Sequence, residues 1–181
     1  MKKEHMRWLG WAVLLWASVA SAGNSLYQLQ APDIDGEALD LSRYQGQVAL
    51  VVNTASMCGY TPQYKELEAL YRRYRDRGFT VLAFPSNDFN QEFDSAEQIK
   101  EFCEGYQVTF PLFASTNVRG SGKHEVYRYL TEASPSGQRG EVRWNFEKFL
   151  VNREGQPVMR FGSAMRPLHP QVTSELEKLL P

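Results

Sequence analysis

Two short apolar runs constrain this chain more than any other feature. Val48 to Asn53 and Phe79 to Phe84 are β-branched or aromatic and nearly continuous, the pattern of strands covered on both faces. Between them Leu67, Leu70, Tyr71 and Tyr74 recur at helical spacing. Thr61 can cap that helix with Pro62 at its first position, and Gly78 ends it. Two strands joined through a helix are parallel, because only a long crossover returns the chain in the same direction.

The later pattern fits around that unit. Tyr27 to Gln47 reads as an irregular lead-in with a turn at Asp35-Gly36. Asn87 to Asp94 is a polar loop, and Ser95-Ala96-Glu97-Gln98 has the capping-box form. Ile99, Phe102, Cys103 and Tyr106 then share one helical face. A shorter helix is predicted over Lys123 to Glu132. Phe149 to Val151 and Val158 to Phe161 flank Arg153-Glu154-Gly155 as a hairpin, and Leu168, Val172, Leu176 and Leu180 mark a closing helix. The expected fold class is α/β, a mixed central sheet with helices on both faces.

The first residues read differently. Lys2, Lys3 and Arg7 precede the apolar run Trp8 to Ala17, and Ala20-Ser21-Ala22 fits a small-residue cleavage site. The run is short for a membrane span. A signal peptide over 1–22, cleaved after Ala22, is expected, leaving 23–181 as one domain without stable membrane insertion. An uncleaved anchor is the alternative. The protein would be exported, to a periplasm-like compartment. A formal net charge of -1 and the lack of a Lys/Arg run with interleaved aromatics point away from nucleic acid.

Only Cys58 and Cys103 are available for sulfur chemistry. In an oxidising compartment the count alone favours a structural bridge between them. The position of Cys58 suggests more. It follows a buried strand and precedes a helix, where unpaired N–H groups and the helix dipole favour a thiolate. A dithiol oxidoreductase would normally show C-x-x-C, but Cys58-Gly59-Tyr60-Thr61 ends in Thr. His124 and His169 lack ligand-spaced partners, read as surface histidines, and suggest no metal. No cofactor is expected.

Three segments sharpen this. Asn53-Thr54-Ala55-Ser56-Met57-Cys58-Gly59-Tyr60-Thr61 resembles the nucleophile motif of the glutathione peroxidase family. Phe84-Pro85-Ser86-Asn87-Asp88-Phe89, with Gln91-Glu92, resembles its second motif, and Trp144-Asn145-Phe146, with Lys148-Phe149-Leu150, its third. Their order and approximate spacing agree, from about Leu26 to Pro181. The resemblance implies a thioredoxin-like fold and hydroperoxide reduction. It places Cys58 as the peroxide-attacking nucleophile and Gln91, Trp144 and Asn145 as its polar partners. These are neutral donors able to hold a thiolate and the charge developing on the departing oxygen.

One departure concerns Gln91. Only Asn90 separates it from Phe89, where the family commonly has two small residues, and Phe93 stands where a proline is usual. Should the shorter loop fail to deliver Gln91, Asn87 is the nearest substitute amide.

Cys103 matches the resolving cysteine of thioredoxin-dependent members, and Ser86 stands where many carry a third cysteine. The implied cycle runs from thiolate to sulfenic acid to a Cys58–Cys103 disulfide, reset by a thioredoxin-like reductant. The apolar stripe predicts a buried Cys103 whose sulfur is well apart from Cys58 in the reduced form. Glutathione, with two carboxylates, would want placed Arg or Lys groups, and no motif supplies them. A glutathione-dependent enzyme with an idle or structural Cys103 and a non-catalytic exported binding domain stapled by a bridge are the alternatives. The short Ala133–Arg143 linker suggests a monomer with an open site for organic or lipid hydroperoxides.

Overall fold

The structure is a computed structural model that describes residues 25–181. The expected signal peptide, 1–22, and its cleavage site lie outside the described residues.

The lead-in is more regular than its sequence suggests. It holds a small antiparallel hairpin, β1 (Gln30–Pro32) and β2 (Ala38–Asp40), around the turn at Asp35-Gly36. The Asp33 carboxylate accepts the N–H groups of Asp35 and Glu37 and shapes that turn. β1 and β2 have three residues each and no continuous apolar run, so periodicity does not reveal them.

β3 (Val48–Thr54), α1 (Gln63–Tyr74) and β4 (Phe79–Pro85) form the crossover, and β3 and β4 pair in parallel from Val48↔Phe79 to Thr54↔Pro85. α2 spans Ala96–Gly105 and α3 Glu125–Ala133. β5 (Lys148–Val151) joins β3 antiparallel, and β6 (Pro157–Phe161) extends the hairpin. α4 is Pro170–Glu177. The sheet order is β4-β3-β5-β6. This is the mixed sheet expected of one crossover and one late hairpin.

Alternation along β3 sorts the core into two layers. Val48, Leu50 and Val52 meet Tyr64, Leu67 and Leu70 of α1, Ile99 of α2, and Val172 and Leu176 of α4. Ala49 and Val51 meet Val126, Tyr127 and Leu130 of α3 on the other face. Each fully buried Leu or Val contributes about 1.5–3 kcal/mol. Both layers therefore hold the β3 end rigid where the functional segments emerge.

Both isolated histidines turn out to be helix caps. His124 Nδ1 accepts the Val126 N–H and His169 Nδ1 the Gln171 N–H, each at 3.2 Å. That role requires a neutral acceptor nitrogen, and burial lowers the His124 pKa. Ser95 caps α2 through the Gln98 N–H. Among the described residues, no helix is long and apolar enough to cross a membrane, and no three His, Cys, Asp or Glu side chains converge as a metal site.

Candidate active site

Cys58 lies in the turn between β3 and α1 and is only 7% exposed. Thr61 fixes that turn. Its Oγ1 accepts the Cys58 N–H at 3.0 Å and donates to the Ala55 carbonyl at 2.9 Å. Thr61 is thus not the cap of α1, which begins at Gln63 after Pro62 with no side-chain cap. The hydroxyl is already spent on the loop. The Tyr60 N–H donates to Cys58 Sγ at 3.4 Å, so the sulfur receives a backbone donor at the opening of the helix.

The shortened second loop brings the Gln91 backbone against the Cys58 turn. Asn90 takes a left-handed φ of 55°, which Asn tolerates better than most residues and which tightens the bend. The Gln91 carbonyl accepts the Met57 N–H at 2.9 Å, beside Cys58 in the chain. Its side-chain Oε1 accepts from Asn145 Nδ2 at 2.9 Å. Asn87 is no substitute amide. Its Oδ1 accepts the Glu92 N–H at 3.1 Å and its Nδ2 donates to Asp94, so it is spent on holding the loop.

The third segment is clamped to β3 by one side chain. Asn53 Nδ2 donates to the Trp144 carbonyl, and Asn53 Oδ1 accepts the Glu147 N–H, both at 3.0 Å. The Phe146 N–H reaches the Asn53 carbonyl, and Phe146 takes a φ of 61°. Lys148 supports this tight turn from inside: its Nζ donates to the Phe146 carbonyl at 2.7 Å and to Ser163 O at 3.4 Å. Burial pushes its pKa down to about 7, against the pull of Glu147 and Glu66. A buried ion pair, Arg160 with Glu147, bolts the same segment to the Gln138–Glu141 carbonyls.

Asn145 is fully buried and its Oδ1 has no partner. Trp144 is 41% exposed, packs against Phe89 with ring centroids 5.1 Å apart, and makes no side-chain hydrogen bond among the described residues. Gln91 and Asn145 are therefore joined by their side chains, the Gln91 backbone meets Met57 next to Cys58 in the chain, and Trp144 is half-exposed. Met57, 53% exposed, is a second exposed apolar group.

Cys103 lies on α2 and is buried, as its stripe predicts. Both cysteines are free thiols. Burial pushes the Cys103 pKa up to about 11, with Tyr64 opposing and Glu92 reinforcing the shift. Sequence reasoning passed over Glu92, Asn53 and Lys148 as working residues, although all three lie inside or beside the quoted motifs. Glu92 is buried, and its Oε1 accepts the N–H groups of Ser56 (3.2 Å) and Phe93 (2.9 Å). It straps the second loop to the Cys58 turn.

This arrangement suits attack by a sulfur held in a turn and receiving a backbone N–H. Residues 26–131 match the family model described as glutathione peroxidase. The chain is 47% identical over 169 residues to the hydroperoxy fatty acid reductase gpx1 of a Synechocystis species, covering 89% of this chain and 99% of that one. It is 48% identical to the glutathione peroxidase-like peroxiredoxin gpx1 of Schizosaccharomyces pombe, over 85% and 98% of the two chains. Among solved structures, GPX1 of T. cruzi aligns with a TM-score of 0.66 at 34% identity, covering 86% of this chain and 94% of that one. The thioredoxin domain of a thiol-disulfide oxidoreductase from Bacteroides vulgatus aligns at 0.61 with 17% identity, over 88% and 97%. The fold is thioredoxin-like.

Proposed function

The chain belongs to the glutathione peroxidase family, and from that premise we propose that it reduces hydroperoxides through Cys58. The Cys58 thiolate attacks the peroxide oxygen, an alcohol or water leaves, and Cys58 becomes a sulfenic acid. The observation that carries this reading is the link from Asn145 through the Gln91 side chain, and from the Gln91 carbonyl to Met57. It ties two amides to the loop that meets the Cys58 turn, and in this reading they stabilise the charge on the departing oxygen. Trp144, half-exposed, can donate its indole N–H to a bound substrate.

Cys103 is the resolving thiol in this proposal, and a thioredoxin-like protein reopens the disulfide. The exposed Met57 and Trp144 favour organic and lipid hydroperoxides beside hydrogen peroxide, in keeping with the name of the Synechocystis relative. A monomeric 23–181 domain, exported to a periplasm-like compartment after loss of 1–22, completes the reading. It rests on the basic and apolar start of the sequence and on the short Ala133–Arg143 linker.

The test is peroxide consumption with thioredoxin and glutathione as separate donors. Cys58→Ser is expected to be inactive with both. Cys103→Ser is expected to lose thioredoxin-supported turnover yet still react once with peroxide. Full glutathione turnover by Cys103→Ser would replace the two-cysteine cycle with a one-cysteine one. N-terminal sequencing of the secreted protein checks cleavage after Ala22.

A further inference from the structure

The helix that carries Cys103 is closed at its C-terminal end by Cys103 itself. The Gln107 N–H donates to the Glu104 carbonyl at 2.8 Å and the Val108 N–H to the Cys103 carbonyl at 3.1 Å, the paired bonds of a Schellman motif. That motif needs a left-handed residue just past the cap, a place usually filled by glycine. Here it is Gln107, with a φ of 58°. A residue with a Cβ is strained in that conformation. The end of α2 is therefore built on a turn that its own sequence disfavours.

A buried carboxylate on α1 holds that end in place. Glu68 Oε2 accepts the Thr109 N–H at 2.8 Å. Its Oε1 accepts the Thr109 hydroxyl at 2.6 Å and Arg72 Nε at 2.5 Å. Arg72 in turn donates through Nη2 to the Gln107 carbonyl at 3.4 Å. Burial pushes the Glu68 pKa up, but the bonds from Thr109 and Arg72 outweigh it and hold the pKa below its ordinary value. The clasp is thus charged at neutral pH.

A thioredoxin-like protein cannot exchange with a sulfur shut inside the core, so α2 has to open where Cys103 sits. We infer that Glu68 is a positioning residue for the resolving step: its clasp on Thr109, and through Arg72 on Gln107, latches the strained end of α2 shut and sets how often Cys103 is presented. The consequence for catalysis rests on the resolving role of Cys103. The latch itself is a property of the reduced fold.

The experiment labels Cys103 with N-ethylmaleimide in reduced Cys58→Ser protein, below the urea unfolding transition. Labelling through a local opening is insensitive to urea there, and labelling through global unfolding is not. Glu68→Gln, which sets an amide donor against a Thr109 donor, should label about tenfold faster than its parent. Gln107→Gly, which relieves the left-handed residue, should label about threefold slower. Thr109→Val removes only the hydroxyl donor, should fall between the parent and Glu68→Gln, and decides the matter if Glu68→Gln fails to fold. Val126→Ala, in the opposite core layer, lowers stability without touching the clasp and should label at the parent rate. Parent-rate labelling in the clasp variants, faster labelling in Gln107→Gly, or an equal acceleration by Val126→Ala would overturn the latch.

In the protein with both cysteines, disulfide closure after one equivalent of hydrogen peroxide should follow the same order. Sulfenic acid formation, read by dimedone trapping and mass spectrometry, should stay unchanged. Closure that ignores the labelling order would overturn the latch's control of the cycle. If Cys103→Ser keeps full thioredoxin turnover, the two-cysteine reading fails instead, and the labelling order still decides the latch.

Discussion

The two cysteines occupy opposite kinds of surroundings within one layer of the core. Around Cys58, main-chain groups are spoken for by specific partners: Thr61 for Cys58 and Ala55, Gln91 for Met57, Glu92 for Ser56. Cys103 instead sits within α2, where its carbonyl accepts the Tyr106 and Val108 N–H groups and no side chain among the described residues straps its backbone in this way. The supporting helices differ in the same sense. α1 buries Gln63, Tyr64, Leu67, Glu68, Leu70 and Tyr74, whereas α2 buries only Ile99 and Cys103. Both thiols are free, and a disulfide needs Cα atoms within about 7 Å. The less anchored element is the one able to open locally. The nucleophile is held still and its partner is kept releasable.

Breaking the ordered side should have the largest effect. Thr61→Val keeps the shape but removes an acceptor from the Cys58 N–H and a donor from the Ala55 carbonyl, both in buried backbone. Stranding two such groups costs about 2–5 kcal/mol. Urea unfolding should show that loss, and the single-turnover rate with peroxide should fall with it. An unchanged stability would mean that the turn is not held by Thr61, and the contrast between the two cysteines would collapse.

Much of this was legible in the residues. Continuous apolar runs marked β3 and β4, and the glycine turn marked the late hairpin. The Ile99–Cys103 stripe placed the second thiol inside. What escaped reading were side chains that serve backbone from a distance. Thr61 before Pro62 looks like a cap, and only the fold reveals that the Ala55 carbonyl competes for its hydroxyl. Asn53 ends an apolar run as one more polar residue, yet it clamps a segment some ninety positions later. Lys148 opens β5 in a sequence that gives no hint that its amine is buried. The Gln91 loop was the reverse case. Its missing residue put the placement in question, and a left-handed Asn90 bends the loop where the Gln91 carbonyl meets the Met57 N–H.

Lys148 offers a second way to sharpen the comparison, because it underlies the Trp144–Asn145 turn beside the ordered cysteine. In the unfolded chain its amine keeps a proton up to about 10.5, and in the fold only up to about 7. Between these values the unfolded state binds the extra proton, so raising pH favours the fold. Stability should therefore rise by about 1.4 kcal/mol per pH unit above pH 7, and Lys148→Met should lack that slope. The useful window closes near pH 9. There Cys103 begins to act the other way, since its folded pKa of about 11 lies above its ordinary 9.0 and further alkali costs stability. A parallel pH course in wild type and variant would show that the amine is not the group responsible.

The smallest effect should come from the unpaired side, and its smallness is the point. Thr54 is fully buried and its Oγ1 has no partner. Thr54→Val is the same chemical change as Thr61→Val, made on the same loop-bearing strand end. Here it strands no backbone group and removes a hydroxyl whose desolvation nothing repays. The expected change is between zero and about 1 kcal/mol of added stability. A loss as large as that of Thr61→Val would show the Thr54 hydroxyl to be satisfied in solution. The strand end that leads into the Cys58 turn would then be paired throughout.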